Sequence, residues 1–163
     1  MASLVDIQLA DSDSKAPDKR QICSWVDMVF STLRRPPKAL TIRIVNEEEM
    51  KDLNRRYCGK DQSTNVLSFP FEPLPDSYVD LLGDIVVCAA VVVREALEQD
   101  KSLIGHWAHM IVHGMLHLFD YGHESDRQAE VMEGIEQAIL EQLGFSDPYQ
   151  EKQVVSDQKH AKA

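Results

Sequence analysis

Histidine placement is the most constraining feature of this 163-residue sequence. Five of its six histidines fall within 18 residues, in an otherwise apolar stretch that predicts a helix over Ile104–Phe119. At about 100° per residue, the four histidines in this helix lie within roughly 80° of one another, opposite a broad apolar arc. A helix face with four imidazoles and no lysine or glutamate is not an ordinary solvated face. The five clustered histidines are His106, His109, His113, His117 and His123.

Three of these histidines have the spacing of a metal site. His113 and His117 are one helical turn apart, so both rings can reach one ion at about 2.0–2.1 Å, the usual zinc–nitrogen distance. His123 follows beyond the helix end and can return to the same ion from a turn. Three imidazoles leave a tetrahedral zinc ion with one open position, which is typical of a catalytic site. Nickel and copper also suit imidazole ligands.

The residue after the first of these histidines narrows the reaction class. The spacing His-x3-His-x5-His also occurs in zinc proteases, in which a glutamate next to the first histidine acts as general base. This sequence has Gly114 at that position, which disfavours peptide hydrolysis. Phosphodiester hydrolysis instead needs a Lewis acid and charge neutralisation, which a metal and nearby arginines can supply.

The order of the predicted elements indicates the α+β class. We expect a small mixed four-stranded sheet covered by about five helices, with the three-histidine metal site at the end of a central helix. We also expect residues 1–150 to form one domain and residues 151–163 to form a polar, disordered tail. The predicted strands are Val5–Leu9, Leu40–Ile44, Val66–Phe71 and Leu81–Val87. The predicted helices are Asp18–Leu33, one capped by Asn46, Ala89–Asp100, Ile104–Phe119, and one that begins at Ser125 or Asp126 and ends before Gly144.

Charge and cysteine content restrict the partners and the compartment. The net charge of −10 disfavours general binding of polyanions, because phosphate contacts supply most non-specific affinity for nucleic acids. Residues 34–60 differ from the rest, with eight basic and four acidic residues, and predict either a local basic patch or an ordinary solvated face. The three widely spaced cysteines are typical of reduced thiols in a cytosolic protein. No apolar run approaches the roughly 20 residues of a membrane span.

Four segments, in a fixed order along nearly the whole chain, resemble the YbeY family. The resemblance implies a zinc-dependent, single-strand-specific endoribonuclease of the bacterial cytoplasm. Proteins of that family act in 3′-end maturation of 16S rRNA and in ribosome quality control. The segments are Tyr57–Asp61, Thr64–Pro70, Leu82–Ile85, and His113–His123 with the acidic helix that follows it.

The same resemblance implies partners and ligands. It implies one Zn²⁺ per chain, held by His113, His117 and His123. The expected partners are single-stranded RNA, ribosomal RNA and the small ribosomal subunit, with no membrane and no DNA.

The sequence departs from the family pattern at two positions. Cys58 stands where the family has an arginine that is thought to work at the active site, and a thiol cannot bind a phosphate in the forked manner of a guanidinium. The turn before the third ligand reads Asp120-Tyr-Gly-His123, where the family reads Gly-Tyr-Asp-His. Glycine is favoured at a helix end that needs a positive φ. The exchange therefore either shifts the turn and His123 with it, or turns Asp120 toward a ligand.

Other residues are candidates of lower specificity. Asp84 interrupts an apolar strand, where it serves either as the acceptor for the free N–H of a ligand histidine or as a partner of a neighbouring loop. Asp84 and Lys60 are the candidate catalytic residues. The candidate substrate-binding residues are Arg43, Arg55, Arg56 and Lys60. The apolar stripe predicted to be core in the last helix is Met132, Ile135, Ile139 and Leu143.

Two functions are consistent with the sequence. The first is a metal-dependent endoribonuclease, in which either water or a ribose hydroxyl attacks the phosphate. The second is a ribosome-associated binding module with a structural zinc and weak or lost catalysis, which is consistent with Cys58 in place of arginine. A zinc hydrolase that acts on a peptide or small molecule is disfavoured by Gly114.

Overall fold

The computed structural model describes residues 4–11, 15–73, 75–76 and 80–149. These residues confirm the predicted α+β class, with a mixed four-stranded sheet and five helices. Among them, no helix combines the length and the apolarity needed to cross a membrane. The predicted tail of 151–163 lies outside the described residues. In chain order the elements are β1 (Val5–Leu9), α1 (Lys19–Leu33), β2 (Ala39–Val45), α2 (Glu47–Cys58), β3 (Val66–Pro70), β4 (Leu81–Cys88), α3 (Ala89–Glu98), α4 (Leu103–Leu118) and α5 (Asp126–Gln142).

The sheet has the strand order β1-β2-β4-β3. Strands β1, β2 and β4 run parallel, and β3 pairs antiparallel with β4 at the edge of the sheet. Pro70 ends β3 opposite Gly83, as expected for a residue without an amide proton to donate. The antiparallel edge strand makes the sheet mixed.

The two faces of the sheet carry different cores. One face packs against α1, α4 and α5, with Ile42 and Ile85 fully buried. On the opposite face, Val86 and Cys88 meet Met50 of α2 in a smaller cluster. Side chains alternate between the faces along each strand, so α2 and α4 lie on opposite sides of the sheet.

Local capping explains the helix boundaries. The side chain of Asn46 accepts a hydrogen bond from the backbone N–H of Glu49 (2.9 Å), which begins α2 as predicted. Ser125, rather than Asp126, caps α5 by accepting from the backbone N–H of Gln128 (3.1 Å). Gly144 has φ +92°, as predicted for the residue that follows the last helix.

Helix α4 approaches the sheet closely at Gly114. A Cβ at this position would lie 3.0 Å from Cγ2 of Ile85 and 3.2 Å from Oγ of Ser68. The Ser68 hydroxyl also donates a hydrogen bond to the Gly114 carbonyl oxygen (2.9 Å). A larger side chain such as glutamate would therefore push α4 away from β3 and β4, so packing gives an independent reason for glycine here.

Candidate metal centre

Three histidines meet at the C-terminal end of α4. The Nε2 atoms of His113 and His117 lie 3.1 Å apart. His123 joins them from the following turn, with its ring centroid 5.1 Å from that of His117 and 5.9 Å from that of His113. One nitrogen from each of the three rings lies within 4.8 Å of the others. The structure therefore brings together the three residues that the sequence predicts as ligands.

This donor set fits a metal ion. Bonds of about 2.0–2.1 Å at tetrahedral angles place two ligand nitrogens roughly 3.3 Å apart, close to the observed His113–His117 separation. Imidazole is a suitable ligand for zinc, and three imidazoles leave a fourth position for water or substrate. His113 and His117 are half-buried and His123 is exposed, so the group is open to solvent on the side of His123.

The turn between the second and third histidines keeps its form despite the exchanged residues. Asp120 adopts the left-handed conformation itself, with φ +72°. The N–H groups of Asp120 and Tyr121 donate to the carbonyl oxygens of His117 and Leu116 (3.0 Å each), which is the Schellman ending of a helix. The left-handed position is thus retained at residue 120, and His123 still reaches the other two rings.

Burial favours the neutral form of the imidazole of His117. Desolvation is the largest cause that lowers its pKa, and the neighbouring His113 and His123 lower it further because a second positive charge nearby is unfavourable. A metal binds the unprotonated nitrogen of imidazole. The environment of His117 therefore favours the state that can act as a ligand.

A buried glutamate from α5 lies behind the site. Glu136 is fully buried (0% exposed), and its Oε2 accepts a hydrogen bond from Nδ1 of His113 (2.5 Å). Its Oε1 accepts from Nε2 of His109 (3.2 Å) and from the hydroxyl of Tyr149. Burial alone would raise the pKa of Glu136, but the hydrogen bonds from His109 and His113 outweigh it and lower the pKa to about 2. Glu136 is therefore a carboxylate at neutral pH.

The sequence interpretation missed Glu136, although a signal was present. It lies four residues after Met132 and three before Ile139, on the stripe of α5 that the sequence predicts to be core. All three residues are buried. A carboxylate on an apolar stripe is costly to bury without partners, so it indicates polar groups on the facing helix. Here those groups are imidazoles of α4.

Asp84 is not the acceptor for the N–H of His113, which was one of the two roles that the sequence left open for it. Asp84 is exposed, and it alternates along β4 with Ile85, whose side chain lies against Gly114 of α4. Its carboxylate therefore points to the face of the sheet that carries α2. The acceptor for the free N–H of His113 is Glu136 instead.

Four histidines of α4 form one continuous surface, which we call the histidine face. The ring centroids of successive members are 4.6–6.1 Å apart. At its N-terminal end, Nε2 of His106 hydrogen-bonds Oε1 of Glu95 (2.9 Å), and that carboxylate also accepts from the amide of Asn65 (3.1 Å). Asn65 is thus engaged within the fold. The histidine face consists of His106, His109, His113 and His117.

Comparison with known proteins identifies the family. The family model described as "Endoribonuclease YbeY" matches residues 6–144. The chain belongs to the YbeY endoribonuclease family. A solved structure, the solution structure of TM1509 from Thermotoga maritima, is 23% identical and has a TM-score of 0.56. That alignment covers 90% of this chain and 99% of the other, which shows a shared fold. YbeY proteins are endoribonucleases, that is, hydrolases that act on RNA.

The four candidate RNA-binding residues, which we call the basic patch, lie on the other side of the sheet from the histidine face. Its three arginines are already paired with acidic residues: Arg43 with Glu49 (2.7 Å), and Arg55 and Arg56 both with Asp52. Lys60 is exposed just after α2, and among the described residues it forms no hydrogen bond or ion pair with a histidine. The basic patch consists of Arg43, Arg55, Arg56 and Lys60.

The cysteine at the position where the family resemblance implies an arginine is exposed. Cys58 is the last residue of α2, and Gly59 ends the helix with φ +72°. The two arginines before Cys58 are both engaged with Asp52. Neither guanidinium is therefore free to take the place of the implied arginine.

Proposed function

We propose that this YbeY-family chain is a zinc-dependent endoribonuclease specific for single strands. It acts in the cytoplasm, in 3′-end maturation of 16S rRNA and in ribosome quality control, with the small ribosomal subunit as its partner. The observation that carries the proposal is the convergence of His113, His117 and His123 at the end of α4. Membership of an endoribonuclease family supports RNA as the substrate.

In this proposal the three histidines hold the zinc, and the surrounding chain prepares them. When bound, zinc supplies a water of lowered pKa and a charge that polarises a phosphate oxygen. Burial keeps His117 neutral, and Glu136 holds the ring of His113 by its Nδ1. His123 leaves the site open on its exposed side, where a polymer can approach.

The basic patch is the proposed surface for the RNA backbone. Tyr57, at the same end of α2, is 62% exposed and presents an aromatic ring on which a base can stack. The ring of Tyr57 packs edge-on against Phe69 (5.4 Å between centroids), and the neighbouring Ser68 contacts Gly114 beside the histidines. Edge strand β3 therefore connects the two surfaces, and an RNA strand that crosses this edge would contact both.

Stacking and backbone contacts explain a preference for single strands. Unpaired bases can splay out onto an aromatic side chain, whereas the bases of an RNA duplex are stacked on one another and inaccessible. Lys60 and the arginines supply sequence-independent attraction to phosphates. The patch therefore suits a flexible single strand better than a rigid duplex.

A second candidate function rests on Cys58. The position lacks a guanidinium, and Arg55 and Arg56 are paired with Asp52 instead of being free to replace it. This arrangement favours a ribosome-associated binding module in which zinc is structural and catalysis is weak. The two candidates differ in cleavage rather than in metal content.

The proposal is tested by removing and restoring the metal on one preparation. Purified protein with one equivalent of zinc is incubated with a single-stranded RNA that carries the 3′ extension of the 16S precursor, and with the same RNA in a duplex. We expect cleavage of the single strand only, loss of cleavage after chelation, and recovery when zinc is added back. Cleavage that persists without metal, or equal cleavage of the duplex, would overturn the proposal. Tight binding to small subunits without any cleavage would support the second candidate.

The biological role needs a cellular measurement. Depletion of the protein is expected to leave 16S rRNA molecules with unprocessed 3′ ends, measured by 3′-end sequencing. Expression of the wild-type chain should restore the mature ends, whereas the His117→Ala chain should not. Normal 3′ ends in depleted cells would contradict a role in this maturation step.

A further inference from the structure

Glu136 has the hydrogen bonds of a carboxylate that fixes other groups in place. It is fully buried, and three donors from two parts of the chain converge on its two oxygens. Burying a charge without partners is costly, and such a charge is retained only where hydrogen bonds compensate for the lost water. The donors come from His113 and His109 of α4 and from Tyr149, which follows α5.

These contacts determine which ring nitrogens carry protons. An ionised carboxylate only accepts, so His113 must donate from Nδ1 and His109 from Nε2. A neutral His113 with its proton on Nδ1 has its lone pair on Nε2, the atom that lies 3.1 Å from Nε2 of His117. The lone pair of His109 is then on Nδ1, which is buried and has no hydrogen-bond partner among the described residues.

Tyr149 completes the arrangement from outside the helices. The chain after α5 is held by a hydrogen bond from the N–H of Phe145 to the carbonyl oxygen of Leu140 (2.9 Å), and the ring of Phe145 packs edge-on against Trp25. Asp147 then accepts from the backbone N–H of Tyr149 (2.9 Å), which directs the tyrosine back toward α5. Its hydroxyl donates to Oε1 of Glu136, the oxygen that His109 also contacts.

We propose that Glu136 is a positioning residue that holds His113 in the tautomer competent to bind metal, and that Tyr149 in turn orients Glu136. This inference rests on the proposed function, because it takes His113 as a ligand. A carboxylate that accepts from a ligand histidine fixes the direction of its ring and makes the coordinating nitrogen more basic. Glu136 thereby acts on the metal through His113 and touches neither metal nor substrate.

An alternative use of the same atoms is a second metal site. His109, His113 and Glu136 also have ligand atoms within 4.8 Å of one another. However, Nδ1 of His113 and Oε2 of Glu136 are only 2.5 Å apart. Ligand atoms on a zinc ion with bonds of about 2.0–2.1 Å are separated by roughly 3 Å or more. A hydrogen bond fits the observed separation, and an ion between these atoms does not.

The test compares Glu136→Gln with the wild type by zinc affinity and by ring tautomer. Glutamine keeps the shape of the side chain but loses its charge, and its amide nitrogen donates where a carboxylate oxygen accepts, so only one of its two polar atoms can still accept. We expect zinc affinity, measured by competition with a chelating dye, to fall by about 10- to 100-fold. In ¹⁵N long-range correlation spectra of the zinc-free protein, the wild type should show His113 protonated at Nδ1, and the variant should show a mixture of tautomers.

Two further variants separate positioning from a general loss of structure. Tyr149→Phe removes one of the three donors without changing the buried carboxylate, and we expect a smaller loss of zinc affinity, roughly fivefold. Glu141→Gln makes the same chemical change at an exposed position of α5 and should leave zinc affinity unchanged. Circular dichroism checks that each variant is folded. If Glu136→Gln does not fold, the tautomer in the wild type and the zinc affinity of Tyr149→Phe still test the proposal.

The outcomes are distinguishable from those of the proposed function. Wild-type zinc affinity in Glu136→Gln, or a proton on Nε2 of His113 in the zinc-free wild type, would overturn the positioning role and leave the three-histidine site intact. Full zinc binding and cleavage by His113→Ala would overturn the proposed function itself.

Discussion

The histidine face of α4 and the basic patch of α2 differ in how their side chains are held. Members of the histidine face are buried or half-buried. Their carboxylate partners, Glu95 and Glu136, lie on other helices, α3 and α5. In the basic patch, each arginine is paired with an acidic residue three to six positions away, with both side chains at least one third exposed. The histidine face is therefore fixed by tertiary packing, whereas the basic patch is held by solvent-exposed ion pairs between residues close in sequence.

In the proposed function, this difference separates the task of holding the metal from the task of binding the RNA backbone. Side chains that hold a metal need fixed directions, which buried hydrogen bonds supply. Exposed ion pairs contribute only about 0–1 kcal/mol, so arginines that leave an aspartate for a phosphate lose little stability. A patch of this kind can follow a single strand of variable sequence. Mutations should therefore have sharp effects on the histidine face and graded effects on the basic patch.

The largest effect is expected from His117→Ala on the histidine face. It removes one of the three proposed ligands and its contact with Nε2 of His113. We expect no stoichiometric zinc and a fall in single-strand cleavage of at least about 10³-fold, because in the proposed function the zinc supplies the activated water. Metal analysis and cleavage rates on the same sample measure both losses. The control is His160→Ala, at the one histidine outside the cluster. Wild-type cleavage by His117→Ala would show that the histidine face is not catalytic.

The next largest effect is expected from Cys58→Arg at the end of the basic patch. The substitution restores the charge of the family pattern at an exposed helix end, where an arginine fits without displacing buried groups. A charge-assisted hydrogen bond from a guanidinium to a phosphate contributes about 1.5–3 kcal/mol, so we expect cleavage to rise by roughly 10- to 100-fold. Cys58→Ser is the control, since it removes the thiol without adding charge. An unchanged rate in Cys58→Arg would mean that the position plays no part in cleavage in this chain.

The sequence was most informative about the histidine face and least informative about its partners. The spacing of His113, His117 and His123 follows from helical geometry over a few residues, and the structure brings these three together. Glu136 could not be assigned to His113 because that contact depends on how α5 packs against α4. Asp84 was open to two interpretations because β4 is apolar on both faces, so alternation along its sequence does not show which face an aspartate occupies.

The turn before His123 is a second case in which the sequence alone did not determine the conformation. The sequence left open whether moving the glycine shifts the turn. In the structure Asp120 accepts the left-handed conformation, because the hydrogen bonds of Asp120 and Tyr121 to the helix end hold it there. Hydrogen bonds at the helix end thus overrode a local preference of about 1 kcal/mol.

A smaller effect is expected from Lys60→Ala in the basic patch. A single exposed lysine contributes one phosphate contact, so we expect RNA affinity to fall about three- to tenfold. The slope of the logarithm of the binding constant against the logarithm of the salt concentration should become shallower by roughly one. Fluorescence anisotropy with a labelled single strand at several salt concentrations measures both. Lys19→Ala, at the exposed start of α1, is the control. The zinc content of Lys60→Ala should stay at the wild-type level. A loss of zinc in this variant would contradict the separation of metal binding by the histidine face from RNA binding by the basic patch.

The smallest effect is expected from Asp120→Gly beside the histidine face. Glycine adopts φ +72° without the steric cost that aspartate has, which outweighs its greater entropy in the unfolded chain. We expect the free energy of unfolding to rise by about 0.5 kcal/mol, measured by denaturant unfolding. Glu124→Gly, at a nearby turn residue outside the left-handed region, should not stabilise the chain. Destabilisation by Asp120→Gly would indicate that the aspartate side chain itself supports the turn.

The central claim is that three imidazoles hold one metal ion and leave one position free. Zinc K-edge X-ray absorption on the purified zinc-loaded protein tests it directly, because this spectrum reports the number and type of ligand atoms. We predict three imidazole nitrogens and one further oxygen or nitrogen at about 2.0–2.1 Å. Sulfur ligands from the cysteines, or fewer than three imidazoles at the metal, would contradict the assignment of His113, His117 and His123 as the site.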